Sequence, residues 1–468
     1  MILKNELFFS EDSVIDPFGR VFFYKNEVYR LINKSAEKEC IDLFKSGLID
    51  ELESKGYIPQ TQITTALDIE DNPMILHHQK CTIIKPYEWS FEMFKCAAIH
   101  IINVNNICNQ FGYELKDGHP FNVTFNDGKP VFFDIGSIIK KQETDWIAKK
   151  EYIETVIIPL FLWRTGNYYL LRTILESPDI YYRRVQPFQT PLQVSFFQNM
   201  VSCMSSYQIK RKEKIINTNS QFIIKIVSFL NSIIRIIVRK KRYNFFNITQ
   251  TYRIPSISEI ANYSLHERET TWMNYQESLN ISDILINFPR YNRIYEIITK
   301  YCSESLSVLD LAGNGGAFSV FLASKHKYKK IIMGDYDENA IDKGFVFFNK
   351  NNIPINTMWM NCMLPCEYDS IIKRVKSDIV FGLAITHHLI LSQGFSLEFI
   401  FERFKSYTNK YVVIEFMPHG LWDGIGDYPS VPEWYNQQWF SNSFSKYFEI
   451  KHIEEIETNR ILYVGELL

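Results

Sequence analysis

The stretch SVLDLAGNGGAFS, Ser307 to Ser319, limits what this chain can fold into more than any other. An apolar pair, Val308 and Leu309, runs into Asp310. Ala312, Gly313, Asn314, Gly315 and Gly316 follow, and then Phe318, Val320 and Phe321 fall at helical spacing. The run predicts a strand, a tight turn and a helix N-terminus. Small residues let a backbone take positive φ and approach a ligand closely, which is how nucleotide-like groups are held at the carboxyl ends of parallel strands. A Gly-rich turn can also simply reverse a chain. The next apolar run separates the two readings: KKIIMGDYDENAID places Asp335 about 25 residues after Asp310, close to the ~20-residue interval at which an acid meets a ribose hydroxyl. Neither GxGxxG nor GxxxxGK followed by Ser or Thr is present.

Single cores rarely grow beyond ~250–300 residues, so 468 residues predict more than one domain. The expected division is 1–205, 206–255 and 256–468. Apolar content of 46% with 15% aromatics is that of a globular chain. A formal charge of −2 offers no global attraction to nucleic acid, and no nucleic-acid partner is expected. The eight cysteines include no CxxC pair, and Cys362 and Cys366 have no second pair at zinc-site spacing. They read as thiols in a reducing compartment. With no apolar signal core in MILKNELFFSEDS, a cytoplasmic location is expected.

The turn resembles the first motif of class I S-adenosylmethionine-dependent methyltransferases, Asp-x-Gly-x-Gly-x-Gly. It is closer to a branch reading Asp-Leu-Gly-Ala-Asn-x-Gly-x-Phe-Ser, with Ala312 and Asn314 departing from two of the glycines. Further pieces follow in the family's order. Asp335 ends a second strand, Asn361 and Cys362 follow a third apolar run, SDIVFGLAITHHL (377–389) reads as a fourth strand with its loop, and KYVVIEFMPHG as a fifth ending at Glu415. The resemblance implies S-adenosylmethionine held by Asp310, Ala312, Gly313, Asn314, Gly316, Asp335, Tyr336, Asn361, Cys362 and Ala384. Asp335 would take the ribose, as a surface-loop acid whose removal spares the fold. Residues 306–468 alternate strands and helices as a doubly wound sheet does, with YFEIKHIEEI and RILYVGEL as a closing antiparallel hairpin.

Methyl transfer is an in-line displacement that needs alignment and a deprotonated nucleophile. Candidates where the fourth and fifth strands end are His387, His388, Glu415 and His419. Either His387 or His388 is the expected base. Neighbours on a loop usually point apart, which would make the other structural. Glu415 would orient a histidine, bind a substrate hydroxyl or bond only backbone. GLWDGIGDYPSVPEWYNQQWF suits a lid over a small-molecule or glycan acceptor, because indole faces favour sugars and planar rings. Trp272 and Tyr275 share a helix face, where they either close over substrate or belong to the core.

Upstream, residues 8–35 read as a β lobe with a hairpin at Lys25 and Asn26, residues 35–56 as a helix ending at Gly56, and 86–111 as a long buried helix. LKDGHPFNVTFNDGKPVFFDIGS (115–137) resembles the catalytic and metal-binding loops of protein-kinase-like phosphotransferases. That resemblance puts Asp117 on the base and Asn122 and Asp134 on magnesium ligands, if this part acts on ATP. No Gly-rich phosphate loop precedes it, and the phosphate-contacting lysine is missing unless Arg30 substitutes. The competing reading is a retained scaffold in which Asp117 and Asn122 cap a turn.

Both parts, with PYEWSF (86–91), resemble a bacterial grouping that includes nodulation-associated methyltransferases. The expected architecture is therefore α/β: a carboxy-terminal doubly wound Rossmann-like methyltransferase domain preceded by an α+β kinase-like domain. Between them, FIIKIVSFLNSIIRIIV with RKKR (239–242) reads as a bridging helix with one polar stripe, in preference to a helix lying on a membrane surface. Three functions follow: an O-methyltransferase with a kinase-like accessory domain, a bifunctional methyltransferase and phosphotransferase, or an inert binding scaffold.

Overall fold

The computed structural model describes residues 6–164 and 288–468, with breaks at 72, 143, 302–304, 326, 366–370 and 423, and also residues 2, 171, 172, 175, 254–265, 270 and 272. The aromatic runs near the start pair antiparallel as β1 (Phe8–Phe9), β2 (Gly19–Tyr24) and β3 (Glu27–Ile32). Lys25 and Asn26 have φ of 48° and 69°, which a two-residue hairpin turn requires. The single helix expected over 35–56 is two, α1 (Glu37–Lys45) and α2 (Leu48–Ser54), because Gly47 takes φ 78° between them. Gly56, at φ 66°, ends α2 in the expected way.

After β4 (Thr61–Thr64) and β5 (Ile75–His78), the five-stranded sheet has the order β1-β2-β3-β5-β4. The long apolar pattern becomes α3 (Phe91–Gln110), which buries Phe91, Phe94, Ile101 and Val104. Next come β6 (Tyr113–Leu115), the hairpin β7 (Val123–Asn126) and β8 (Lys129–Phe132), β9 (Ile138–Lys140), α4 (Lys149–Tyr152) and α5 (Ile158–Arg164). The basic helix expected within 206–253 and Tyr275 lie outside the described residues. Of the helical lead-in, α6 (Ile257–Ala261) is described; Ser256 caps it by accepting from the Glu259 N–H.

The carboxy-terminal half starts with α7 (Pro289–Tyr301) and runs β10 (Ser307–Leu311), α8 (Ala317–Ser324), β11 (Lys330–Asp335), α9 (Glu338–Lys350) and β12 (Asn356–Trp359). It continues through α10 (Ile371–Val375), β13 (Ser377–Gly382), α11 (Leu397–Tyr407), β14 (Thr408–Phe416), α12 (Gln437–Phe444), β15 (Phe448–Glu457) and β16 (Arg460–Leu467). The sheet order is β12-β11-β10-β13-β14-β16-β15. Five strands are parallel, and β16 inserts antiparallel between β14 and β15. The chain leaves β10 towards β11 and returns to pair β13 on its other side, so a crevice opens at the carboxyl ends of β10 and β13.

The two halves share one continuous hydrophobic core. The β7–β8 hairpin packs Phe125 edge-on against Phe345 of α9, ring centroids 5.5 Å apart. At its tip, the Gly128 N–H donates to Asn356 Oδ1 (3.2 Å) and Asn349 Nδ2 donates to the Gly128 carbonyl (3.0 Å). Arg374 of α10 reaches the Glu88 carboxylate and the Ile83 carbonyl (2.7 Å), and the Glu92 N–H donates to Asp342 Oδ1 (2.8 Å). Among the described residues no helix is long and apolar enough to cross a membrane.

Candidate cofactor and active site

The 310–316 turn keeps the backbone of a glycine-rich loop without all of its glycines. Ala312, Asn314 and Gly316 have φ of 57°, 53° and 85°. Left-handed conformation costs an L-residue about 1–2 kcal/mol, least where a short polar side chain bonds locally. Asn314 bonds at long range instead: its Nδ2 donates to the Trp272 carbonyl (2.9 Å). A Cβ on Gly313 would come within 2.8 Å of both Asp310 Oδ2 and Met333 Cγ, so this position takes glycine for space. Asp310 is buried and accepts from Ser319 Oγ (2.7 Å); burial pushes its carboxyl up to about 7 despite that bond.

Asp335 is not the loosely held acid that its sequence position suggests. Its two oxygens accept the Asn314 N–H (2.8 Å) and the Asp337 N–H (2.7 Å), so one carboxylate ties the end of β11 to the turn after β10. Burial pushes it up to about 6, against those bonds. Asp335→Ala would therefore release the turn, which corrects the expectation that the fold is spared. Tyr336, exposed, lies beside Trp359 with ring centroids 5.4 Å apart. Asn361 Oδ1 caps the Met363 and Leu364 N–H groups (3.1 and 3.0 Å), and burial pushes the Cys362 thiol up to about 12. Ala384, just past β13, takes φ 52°. The residues expected around the cofactor thus gather at the carboxyl ends of β10, β11, β12 and β13.

The adjacent histidines do not point apart. Their ring centroids are 4.1 Å from each other, in a π-helical turn that follows β13. His387 is buried, and its Nδ1 has no hydrogen-bond partner among the described residues. Burial, then His388 and Arg460, press it down to about 3, so it is neutral at any ordinary pH. His388 is also lowered by burial, and the Trp272 ring meets it edge-on at 4.8 Å. Trp272 is itself strapped over the turn. Its N–H and the Thr270 hydroxyl donate to the two oxygens of Asp337 (3.1 and 2.8 Å).

Glu415 neither orients a histidine nor waits for a hydroxyl. Fully buried, it accepts from Arg290 Nε (2.9 Å) on one oxygen, and from Arg290 Nη2 (2.6 Å) and Arg460 Nη1 (3.0 Å) on the other. Neither arginine was singled out from sequence. The available signal was a carboxylate ending an apolar strand, which needs a cation once buried. His419, four residues on, stacks on Tyr428 at 3.7 Å, and Trp422 meets Tyr428 edge-on at 4.8 Å. With Ile425, Tyr428 and Trp434 exposed, this segment presents apolar surface.

In the amino-terminal half, Asp134 Oδ1 accepts from Arg30 Nη2 (2.9 Å) and the Gly136 N–H (3.2 Å), and Asp16 lies 3.4 Å from the same guanidinium nitrogen. Asn122 is buried, its Nδ2 without a partner among the described residues, while the Asp117 N–H donates to Ser137 Oγ (3.1 Å). Among the described residues no three His, Cys, Asp or Glu cluster as a metal site.

No family model matches the chain. It is similar to nodulation protein NoeA of Rhizobium meliloti (strain 1021), 22% identical over 439 residues that cover 86% of this chain and 83% of that one. Solved structures resembling it include a SAM dependent methyltransferase from Aquifex aeolicus, 14% identical, covering 43% of this chain and 100% of its own, TM-score 0.32. Magnesium protoporphyrin IX methyltransferase from Synechocystis PCC 6803 with bound SAM is 10% identical over 43% of this chain and 87% of its own, TM-score 0.30. WbdD is 17% identical over 41% of this chain and 46% of its own, TM-score 0.29. Scores this low carry no argument; the order of the seven strands does. That order gives the carboxy-terminal half a doubly wound α/β fold closed by an antiparallel hairpin, on a chain similar along most of its length to a nodulation protein.

Proposed function

We propose that the chain methylates a hydroxyl of a small molecule or glycan from S-adenosylmethionine, with its amino-terminal half as a kinase-like accessory domain that turns over no nucleotide. The observation that carries this reading is the turn, left-handed at 312, 314 and 316, with Asp310 buried behind it and Asp335, half-buried, tied to it at Asn314. At Gly313 and Gly316 the chain's own Asp310, Met333 and Phe348 fill the space a side chain would need, which holds the turn in this shape. Asp335, Tyr336, Asn361 and Cys362 would hold the nucleoside, and the 310–316 turn the amino-acid end. The cofactor supplies an electrophilic methyl group on a sulfonium. The acceptor's proton goes to the histidine pair, and His388 is the better base because His387 is pressed to about 3. His387 Nδ1 instead offers a hydrogen bond that positions the hydroxyl. Replacing both histidines by alanine is expected to lower methyl incorporation about 10²–10⁴-fold, with His388→Ala the costlier single change. Equal activity in the double variant would exclude the assignment.

A cofactor whose cationic end lies along the 310–316 turn and whose ribose hydroxyls donate to Asp335 favours the ionised forms of Asp310 and Asp335. Because their pKa values are raised to about 7 and about 6, these carboxyls contribute stability below the ordinary carboxylate range and lose it as pH rises through 6–7. Cofactor affinity should run the opposite way, rising with pH by up to about tenfold per unit until near 7, then levelling. Calorimetric titrations from pH 5 to 8 check this, and a flat profile would contradict it.

The kinase-like reading is supported by the sheet order β1-β2-β3-β5-β4, with α1 and α2 between β3 and β4, and by Asp134 after the β7–β8 hairpin. The residues do not fit magnesium and ATP. Arg30, on β3, puts its cation on the Asp134 oxygen that a metal would need, and Asp16 adds negative charge where phosphates would lie. ATP turnover that vanishes in Asp134→Asn would restore the bifunctional reading.

A further inference from the structure

We infer that Arg172 makes the amino-terminal half a working part of the cofactor's nucleoside site, as a positioning residue. The inference rests on the reading above, in which Asp335 and Tyr336 hold the nucleoside.

The Arg172 guanidinium packs against two indoles, 4.8 Å from the Trp163 ring centroid and 4.3 Å from that of Trp359. Trp163 belongs to α5, whereas Trp359 ends β12, so one cation joins the halves through two faces. Its Nη1 donates to the Tyr87 carbonyl (2.7 Å) and its Nη2 to Glu338 Oε2 (3.0 Å). The other Glu338 oxygen accepts the Trp163 indole N–H. Among the described residues, two rings, one carbonyl and one carboxylate meet this guanidinium.

The far end of the assembly is the nucleoside position. Glu338 opens α9 three residues after Asp335. The Trp359 indole N–H donates to the Tyr336 carbonyl (2.8 Å), and Trp359 is paired in register with Asp335 across β11 and β12. Tyr336 is 62% exposed, so its ring has a free side while Trp359 backs it. Arg172 fixes that backing ring and neutralises Glu338 together. Without it, a half-buried carboxylate loses its cation beside the acid meant for the ribose, and Trp359 loses a planar neighbour. The sequence gives no hint of this, since Arg172 and Glu338 are 166 residues apart.

The test is binding of S-adenosylmethionine and S-adenosylhomocysteine to the full chain by calorimetry, with methyl-transfer kinetics alongside. Arg172→Ala is expected to weaken both ligands about tenfold and to raise KM for the cofactor with kcat within about twofold. Arg374→Gln loosens the same interface at Glu88, away from α9, and should leave cofactor affinity unchanged. Unaltered affinity in a folded Arg172→Ala protein overturns the inference, and so does an equal loss in Arg374→Gln, which would make the effect one of general loosening. If Arg172→Ala does not fold, Arg172→Lys decides: the charge stays, the planar stack goes, and affinity equal to the parent chain's overturns it. A parent chain that binds neither ligand defeats the cofactor reading itself, which separates that failure from this one.

Discussion

Replacing Glu415 by alanine is expected to cost about 3–5 kcal/mol of stability, the usual penalty for removing one partner of a buried ion pair. Its carboxylate is wholly buried and shared by Arg290 and Arg460. Arg460 keeps Glu457 at 2.8 Å, so Arg290 is the group left stranded. Urea unfolding would measure the loss. Replacing Arg290 and Glu415 together by Met and Leu should recover much of it, because two apolar groups leave no unpaired charge. A fully stable but inactive Glu415→Ala protein would instead place the carboxylate on the acceptor.

The second large effect is expected at Gly316. An added Cβ would run into the Phe348 ring and come within 2.5 Å of Met333 Sδ, on a backbone at φ 85°. Overpacking of this kind costs about 1–3 kcal/mol, and the left-handed conformation adds about 1–2. Gly316→Ala should therefore lose both stability and cofactor binding, the latter because Phe348 and Met333 lie under the turn. Gly394 provides the comparison: at φ 76° with nothing within 4 Å of a built Cβ, its alanine variant pays for conformation alone. Thermal unfolding of the two variants, with and without S-adenosylmethionine, checks the difference. Similar melting temperatures would mean that the turn has room to spare.

What could be read in the sequence was what is local. Val308 to Phe321 announces strand, turn and helix because the periodicity changes within a few residues, and the interval to Asp335 is fixed by one helix and one strand. The residues that bind Glu415 could not be read, since Arg290 is 125 positions away and only the folded sheet joins them. Asn314 looked like a departure from a glycine pattern, whereas its side chain holds the Trp272 carbonyl. Spacing could not show that, because 42 residues separate the two. The break between α1 and α2 was there to be seen in Gly47, but the helical periodicity on both sides masked it.

The hairpin tip seated on Asn356 has a consequence for anyone who divides the chain. β12 is the last parallel strand on its side of the sheet, and its outer flank is an open row of backbone donors and acceptors unless something shields it. The Gly128 turn sits there, bonded through Asn356 and Asn349. A carboxy-terminal half produced alone would expose that flank, together with the apolar surface around Phe345 that Phe125 covers. Such a fragment should self-associate by strand pairing, so a failure to stay monomeric would report on the missing hairpin and not on the doubly wound fold.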